Sequence, residues 1–473
     1  MKLSEALVVA IAVLAASFET AGAMCVVGLT HGTAKQRPEF GFQPANEYRL
    51  KAARNEWEPF QVLIRDDAGA TNVHVAVSEF AGPGGPIGPP ELYREHYVPV
   101  TADHISGFPP DPSKAGDWPD GLVPFVEHFV GEARAGTPFD LPSAYTVAVF
   151  GDVYVPEDQA PGEYAATVTV TADGRPDFHG VLRLTVWDFA LPHETSLAGA
   201  YGFSGGTMCG WHAARGGVTD CTTLVRRYFE EFARHRISLD TWSWGGPGYA
   251  WNDEAGTFDW NWSWFDEMHG PYLDGTFYDG GFRFNTFTLP GAPGGRPGNV
   301  DPAVWEQEFW AGWAAHFREK GWIDALFYYL PDEPRPEQYP SLRDLAARLH
   351  AADPDLQPLV TEQYEDALAG DIDIWCPDEP LFSDSRLRPP YPEAYVARRA
   401  LGEKTWWYNC VSAVLWFDFA NHFVDYESSY QRVWTWLTRR YGFQGLLFYH
   451  PSPDGVRGVV QALVQALYDL SAP

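Results

Sequence analysis

Residues 327–334 read Phe-Tyr-Tyr-Leu-Pro-Asp-Glu-Pro, an apolar and aromatic run followed by two adjacent acids between prolines. The four leading residues are typical of a buried β-strand. Proline has no backbone N–H, so it does not continue a ladder or a helix interior. The stretch therefore predicts a strand that ends at Leu330 and presents Asp332 and Glu333 on a stiffened loop.

The sequence on both sides of this stretch alternates between helical periods and short apolar strands. Helices are predicted over residues 224–235, 304–320, 339–352 and 428–440, and strands over 323–330, 359–361, 372–375, 404–408 and 445–449. This alternation predicts a (β/α)8 TIM-like barrel at residues 195–473. An open doubly wound sheet is the alternative, although the sequence has no glycine-rich phosphate loop to support a nucleotide site.

The first part of the chain has a different pattern. Residues 164–170 and 181–187 alternate polar and apolar side chains around a turn at 172–174, which predicts a long β-hairpin. Similar short strands and Gly/Pro-rich turns fill the preceding residues. We therefore expect a multidomain protein of β plus α/β class, with a β-sandwich at residues 25–190 before the barrel.

Composition excludes some classes of function. The chain has 473 residues, enough for two or three domains, and its formal net charge is −30. A nucleic-acid-binding protein needs the opposite sign of charge. Aromatic residues make up 15% of the chain, with 20 Trp, and their flat amphipathic rings suit stacking on sugar faces. We therefore expect a glycan partner and no nucleic acid.

Residues 1–23 have the basic start, apolar run and small-residue cleavage site of a signal peptide. The apolar run is too short to span a bilayer and no later segment spans one, which predicts a secreted or periplasmic protein without an integral membrane segment. The five cysteines include no CxxC pair, which argues against a structural zinc site. Cys209 and Cys221 are either a disulfide or buried free thiols.

Paired acids in an aromatic cleft are suited to the hydrolysis of sugar bonds, which needs a proton donor and a group that stabilises a developing cation. Adjacent acids have little freedom to straddle a glycosidic bond at the separations of ordinary acid–nucleophile pairs. A substrate with a 2-acetamido group removes this difficulty, because its own carbonyl oxygen attacks the anomeric carbon. One carboxylate then orients the acetamido group, while the other protonates the leaving oxygen and later activates water.

Several stretches, in their order and spacing, resemble the catalytic domain of glycoside hydrolase family 123, which overlaps the barrel-containing domain of unknown function 4091. These stretches lie at residues 258–266, 321–334, 359–362, 371–377, 402–408 and 441–449. Residues 55–61 and 161–164 are similar to the domain that precedes this barrel in the family.

The resemblance implies an exo-acting, retaining β-N-acetylgalactosaminidase that works by substrate assistance through an oxazolinium. The adjacent Asp-Glu pair of the family matches Asp332 and Glu333. By this match Asp332 stabilises the acetamido group and Glu333 is the acid/base. His450 stands where the family pattern has an aromatic residue, usually Trp, so one pocket wall and the sugar specificity are expected to differ.

Candidate substrate contacts follow predicted strands, namely Tyr408, Trp406, Trp407, Trp242, Trp244 and Glu362. Tyr408 would hydrogen-bond the acetamido oxygen, and Trp406 or Trp407 would form the floor of the sugar site, with an aromatic layer in the barrel core as the alternative. Glu362 would bond sugar hydroxyls. No two histidines have the helical i, i+4 spacing of a metal pair, so we predict neither a metal nor a cofactor.

Three functions therefore compete. The first is hydrolysis of terminal β-linked N-acetylgalactosamine. The second is a glycosidase of the same barrel family that acts on another sugar. The third is a carbohydrate-binding protein that cuts no bond, against which the intact pair of acids argues.

Overall fold

The computed structural model describes residues 25–102, 111–214, 220–241, 245–277, 282–378, 391–409 and 423–448. The expected signal peptide, Trp242, Trp244, Cys410 and His450 lie outside these residues. The chain divides into two compact units, with Ala190 in the first and Leu191 in the second.

The first unit is built from strands that share extended backbone and mostly antiparallel pairing. They are β1 (Val26–His31), β2 (Glu47–Arg54), β3 (Glu56–Asp66), β4 (Ala70–Val77), β5 (Glu91–Val100), β6 (Gly116–Pro124), β7 (Val126–Glu127), β8 (Glu132–Ala133), β9 (Phe139–Leu141), β10 (Tyr145–Val155), β11 (Gly162–Thr171) and β12 (Phe178–Ala190).

Ten of these strands form two five-stranded sheets, in the orders β1-β3-β10-β5-β6 and β2-β12-β11-β4-β9. Val62 and Val149 of the first sheet and Val168 and Leu184 of the second belong to one buried apolar cluster. In the second sheet β11 and β12 bury alternate residues, because successive side chains of a strand point to opposite faces. In the first sheet β3 and β10 bury continuous runs, so both of their faces are covered there. The sandwich-like first unit expected from the sequence is confirmed. Its predicted hairpin is the antiparallel pair β11–β12.

The second unit alternates strands and helices. Its strands are β13 (Ala198–Phe203), β14 (Leu239–Thr241), β15 (Gly248–Asn252), β16 (Thr257–Asn261), β17 (Phe287–Thr288), β18 (Leu326–Tyr329), β19 (Gln357–Val360), β20 (Ile374–Trp375), β21 (Lys404–Asn409) and β22 (Gly445–Phe448). Its helices are α1 (Gly205–Ala213), α2 (Cys221–Arg234), α3 (Ser263–Asp274), α4 (Pro302–Lys320), α5 (Tyr339–Ala352), α6 (Tyr391–Ala400) and α7 (Ser429–Tyr441).

Eight strands form one sheet in the order β14-β13-β22-β21-β20-β19-β18-β17. Every neighbouring pair in it is parallel. The two edge strands, β14 and β17, also lie side by side. The Asp240 carboxylate bridges them, accepting hydrogen bonds from the backbone N of Thr288, at 2.9 Å, and from its hydroxyl. The sheet is therefore a nearly closed parallel barrel.

The ends of the helices agree closely with the predicted ends where capping residues mark them. The Asp301 side chain accepts from the backbone N of Ala303 at 2.8 Å, Pro302 opens α4, and Gly321 ends it with a φ of 76°. An N-cap acceptor satisfies a free N–H of the first turn, and a left-handed residue after the last turn favours glycine. A disulfide between Cys209 and Cys221 joins α1 to α2, so these two cysteines are paired rather than free.

Two features differ from a regular (β/α)8 barrel and from the predicted strands. The connection from β19 to β20 contains only a short 3-10 turn at Asp366–Leu368, so strict strand–helix alternation is not met there. The strand predicted from residue 323 begins at Leu326, because Ile323–Ala325 form a 3-10 turn directly after the cap of α4. Within the described residues, no helix is long and apolar enough to cross a membrane.

Candidate active site

The two predicted acids lie directly after β18, at the carboxyl end of the parallel barrel. Both side chains are exposed, whereas Phe327 and Leu330 beside them are buried. Catalytic residues of barrel enzymes occupy this end of the strands. Neither acid forms an ion pair with another described residue, so both carboxylates are accessible to a ligand.

Two hydroxyl groups hold the Asp332 carboxylate. Tyr329 donates to Asp332 Oδ1 at 2.9 Å, and Thr361 donates to the same oxygen at 2.8 Å. Burial, with repulsion from the neighbouring Asp332, raises the pKa of the Tyr329 hydroxyl. Tyr329 therefore keeps its proton and remains a hydrogen-bond donor to Asp332.

Glu333 is held by its side chain and by its backbone. The Tyr408 hydroxyl donates to Glu333 Oε1 at 2.6 Å, and the backbone N–H of Glu333 donates to Thr361 Oγ1 at 3.0 Å. The φ of Glu333 is 41°, in the left-handed region. This conformation costs a non-glycine residue about 1–2 kcal/mol and is often found at functional sites. The surrounding contacts must therefore fix the loop.

Alternation along β21 decides where its aromatic residues lie. Trp406 and Tyr408 join the apolar cluster inside the barrel, together with Phe327 and Cys376. Trp406 is 3% exposed and packs edge-on against Phe327 at 5.3 Å between ring centroids. Its position matches the alternative of an aromatic core layer better than an open sugar floor.

Trp407 points to the opposite face of β21 and does not lie with the acids. It is buried in the layer between sheet and helices, stacked on Phe443 at 4.7 Å between ring centroids. Its indole N–H donates to Thr438 Oγ1 of α7 at 2.9 Å. The expectation that Trp407 contacts sugar is corrected here, because side chains at consecutive strand positions face opposite sides.

Tyr408 reaches the acids as predicted, but its contact differs from the expected one. A tyrosine hydroxyl has a single proton, and here that proton is directed at Glu333 Oε1. In this arrangement Tyr408 orients the carboxylate of Glu333 rather than offering its proton to an acetamido oxygen.

Glu362 lies one residue beyond Thr361 and is half-buried. Burial raises the pKa of its carboxyl group, and repulsion from Glu365 and Glu333 adds to the rise. The side chain hydrogen-bonds Tyr339 and accepts from the backbone N of Gln363 at 2.8 Å. Glu362 is thus near enough to Glu333 to interact electrostatically, although its own hydrogen bonds are with Tyr339 at the start of α5 and with the backbone of Gln363.

Four side chains of this end of the barrel were not selected from the sequence: Tyr329, Thr361, Cys376 and Asp378. Asp378 is buried, and its backbone pairs with Tyr408. Burial, with repulsion from Asp378 and Asp332, raises the pKa of the Cys376 thiol well above its usual value. For Cys376 and Asp378, the signal that could have found them is the two-residue period, since positions 374, 376 and 378 share one face of β20 and its extension.

An open cleft of about 570 Å³ adjoins Asp332. Its walls are the end of β17 with residues 289–291, the end of β18, and Leu345 of α5. This volume suits a small ligand. Among the described residues, no group of three or more His, Cys, Asp or Glu side chains is arranged to hold a metal ion.

Comparisons with known proteins agree with this picture. The family model described as "Glycoside hydrolase 123, catalytic domain" matches residues 302–450, which include both acids and Tyr408. A solved family 123 glycoside hydrolase from Clostridium perfringens, studied for glycolipid glycan hydrolysis, is similar with a TM-score of 0.62 and 15% identity. The similarity covers 90% of this chain and 78% of that one.

A Bacteroides ovatus GH5 xyloglucanase, solved in complex with a XXXG heptasaccharide, has a TM-score of 0.28 and 11% identity, with coverage of 90% of this chain and 97% of that one. That similarity is too low to support an argument. No curated protein sequence matches the chain.

The Clostridium structure shares the fold, and fold alone does not fix activity. The family match adds the segment that contains the acids. Residues 302–450 of this chain are similar to the catalytic domain of glycoside hydrolase family 123, as the sequence predicted.

Proposed function

We propose that this protein is a glycoside hydrolase that releases terminal β-linked N-acetylgalactosamine with retention of configuration. The observation that carries the proposal is the adjacent pair Asp332–Glu333 at the carboxyl end of β18, within the segment that matches the family. The glycans of glycolipids are one source of such sugars, since the similar Clostridium enzyme hydrolyses them.

In the first step the acetamido carbonyl oxygen of the substrate attacks the anomeric carbon, and the bond to the leaving oxygen breaks. Glu333, protonated, gives its proton to that oxygen. Asp332 accepts the acetamido N–H and stabilises the positive charge that forms on the oxazolinium ring. Because Tyr329 and Thr361 occupy Oδ1, we assign Oδ2 to the substrate amide.

In the second step Glu333, now a carboxylate, takes a proton from water. The oxygen of that water forms a bond to the anomeric carbon, and the oxazolinium ring opens to restore the acetamido group. Two displacements at one carbon retain the configuration. The hydrogen bond from Tyr408 fixes the Glu333 oxygen through both transfers.

The test compares Glu333→Gln and Asp332→Asn with the unaltered protein on 4-nitrophenyl 2-acetamido-2-deoxy-β-D-galactopyranoside. Removal of a general acid/base is expected to lower kcat by at least about 100-fold. The Glu333→Gln loss should shrink with a better leaving group, because 2,4-dinitrophenolate needs little protonation, whereas the Asp332→Asn loss should persist.

Glu337→Gln is the matched control, since Glu337 is an exposed acid in the same loop. Its activity should equal that of the unaltered protein. Cleavage of glycosides that lack the acetamido group would contradict substrate assistance and favour another sugar. Binding of N-acetylgalactosamine by calorimetry without turnover of any substrate would favour the non-catalytic alternative.

A further inference from the structure

Thr361 lies one residue beyond β19 and is 2% exposed. Its hydroxyl contacts both acids of the site. Thr361 Oγ1 donates its proton to Asp332 Oδ1 at 2.8 Å and accepts the backbone N–H of Glu333 at 3.0 Å. A hydroxyl group has one proton and two lone pairs, so a single side chain serves as donor to one acid and as acceptor for the other.

The bond to Glu333 acts on the least favourable part of the loop. The φ of Glu333 is 41°, and the residue is not a glycine. Such a conformation persists only where neighbouring groups fix it. The backbone N–H that Thr361 accepts belongs to this same residue, so the threonine ties the strained peptide to the next strand of the barrel.

The bond to Asp332 is part of a small network. Tyr329 donates to the same carboxylate oxygen at 2.9 Å, so two hydroxyl groups converge on Asp332 Oδ1. Tyr329 is the last residue of β18, and Thr361 directly follows β19, so neighbouring strands of the barrel position both donors. A carboxylate held by two oriented donors has one defined rotamer, which is the condition for precise placement of a reacting group.

We propose that Thr361 is a positioning residue that sets the geometry of Asp332 and Glu333 relative to one another. Thr361 makes no contact with substrate in this role; it acts through the two carboxylates. The inference rests on the proposed hydrolase function for its kinetic consequences, but the arrangement of the two acids provides a test that does not depend on activity.

The kinetic test uses Thr361→Val, which keeps the branched shape and removes the hydroxyl, and Thr361→Ser, which keeps the hydroxyl. The valine variant is expected to lower kcat on the 4-nitrophenyl galactosaminide about 10- to 100-fold, as expected when misplacement weakens acid/base and orientation effects. KM should change less than threefold, because the sugar pocket is intact. The serine variant should recover kcat to within about threefold of the unaltered protein.

Thr438→Val is the matched control for a purely structural effect. Thr438 is also fully buried, and its hydroxyl likewise donates to one group, the carbonyl of Trp434, and accepts from another, the indole of Trp407. We expect both valine variants to lower the melting temperature, but only Thr361→Val to lower kcat. Equal kcat values for Thr361→Val and the unaltered protein would overturn the proposal.

A crystal structure of Thr361→Val completes the test. The expected result is a Glu333 that leaves the left-handed region or an Asp332 carboxylate that rotates away from Tyr329. If both acids keep their positions in Thr361→Val, the positioning role is refuted, whether or not the protein hydrolyses a galactosaminide. If the acids are displaced in the variant but the unaltered protein has no activity, only the proposed function is refuted. If the valine variant fails to fold, Thr361→Ala carries the same measurements.

Discussion

A tyrosine–glutamate hydrogen bond links β21 to the loop that carries the acids. The Tyr408 hydroxyl lies 2.6 Å from Glu333 Oε1, and the two residues are 75 positions apart in the chain. A charge-assisted bond of this kind fixes a carboxylate that is otherwise exposed to water. Orientation of the acid/base therefore depends on β21 as well as on the loop after β18.

Tyr408→Phe is expected to lower kcat about tenfold with little loss of stability, because the ring stays packed while one bond of a few kcal/mol at most is removed. The loss should be larger for substrates with poor leaving groups, which need the proton of Glu333 most. A leaving-group series measures this. Tyr93→Phe is the control, since Tyr93 also donates to a glutamate, Glu91, at 2.6 Å, in the other unit. Equal leaving-group dependence in wild type and Tyr408→Phe would contradict the assigned role.

At the scale of one strand, the side-chain period of two divides the aromatic residues of β21 between its two faces. Its residues from 404 to 409 read Lys-Thr-Trp-Trp-Tyr-Asn. Placing Tyr408 inside the barrel places Trp406 inside and Trp407 outside, because the side-chain period is two. The same period identifies position 361, since position 359 is also interior. The apolar composition of residues 404–408 predicted the strand. Which of its side chains face the barrel interior is decided by the neighbouring strands, and composition does not show this.

Trp407→Phe tests the outward position. The phenyl ring keeps the stack on Phe443 but loses the bond to Thr438 and leaves a small cavity. We expect a loss of about 2 kcal/mol in the free energy of unfolding, with kcat and KM unchanged within twofold. Urea denaturation and steady-state kinetics measure the two effects. A rise in KM without a loss of stability would return Trp407 to the sugar site.

The pair β5–β6 makes the stability of the first unit depend on pH. Glu95 of β5 is 7% exposed and lies beside Asp120 of β6 at an irregular position of the ladder. Burial raises the pKa of Glu95 from its ordinary 4.5 to about 8, with Lys35 opposing and Asp120 adding to the rise. Burial likewise raises the pKa of Asp120 to about 7.

A carboxyl group that is less acidic when folded binds its proton more tightly in the folded state. The stability it contributes is complete below pH 4.5 and is lost as the pH rises toward 8. Glu95→Gln is neutral at every pH, so its stability relative to wild type should increase between pH 5 and pH 8. Urea midpoints at each pH measure the difference, and a constant difference would contradict the buried, protonated state of Glu95.

For the whole molecule, the sequence predicted the order of the two folds and the segment that contains the acids. Capped helices such as α4 were predicted to within a few residues, because their end signals are local. The first and last residues of the barrel strands were predicted less well. Short strands such as β20 are defined by their pairing with neighbouring strands more than by their own residues. The bridge between β14 and β17 through Asp240 depends on closure of the sheet, which no local pattern encodes.

The net charge of −30 belongs to the molecule as a whole and should select among substrates. Its field repels anions and leaves neutral sugars unaffected. The screening length falls from about 30 Å at 0.01 M salt to about 8 Å at 0.15 M. For a galactosaminide with a sulfonated aglycone, kcat/KM should therefore rise several-fold over this range. The matched neutral glycoside, assayed in the same buffers, should change little. A fall in kcat/KM for the anionic substrate would instead show that a cationic surface at the cleft outweighs the net charge.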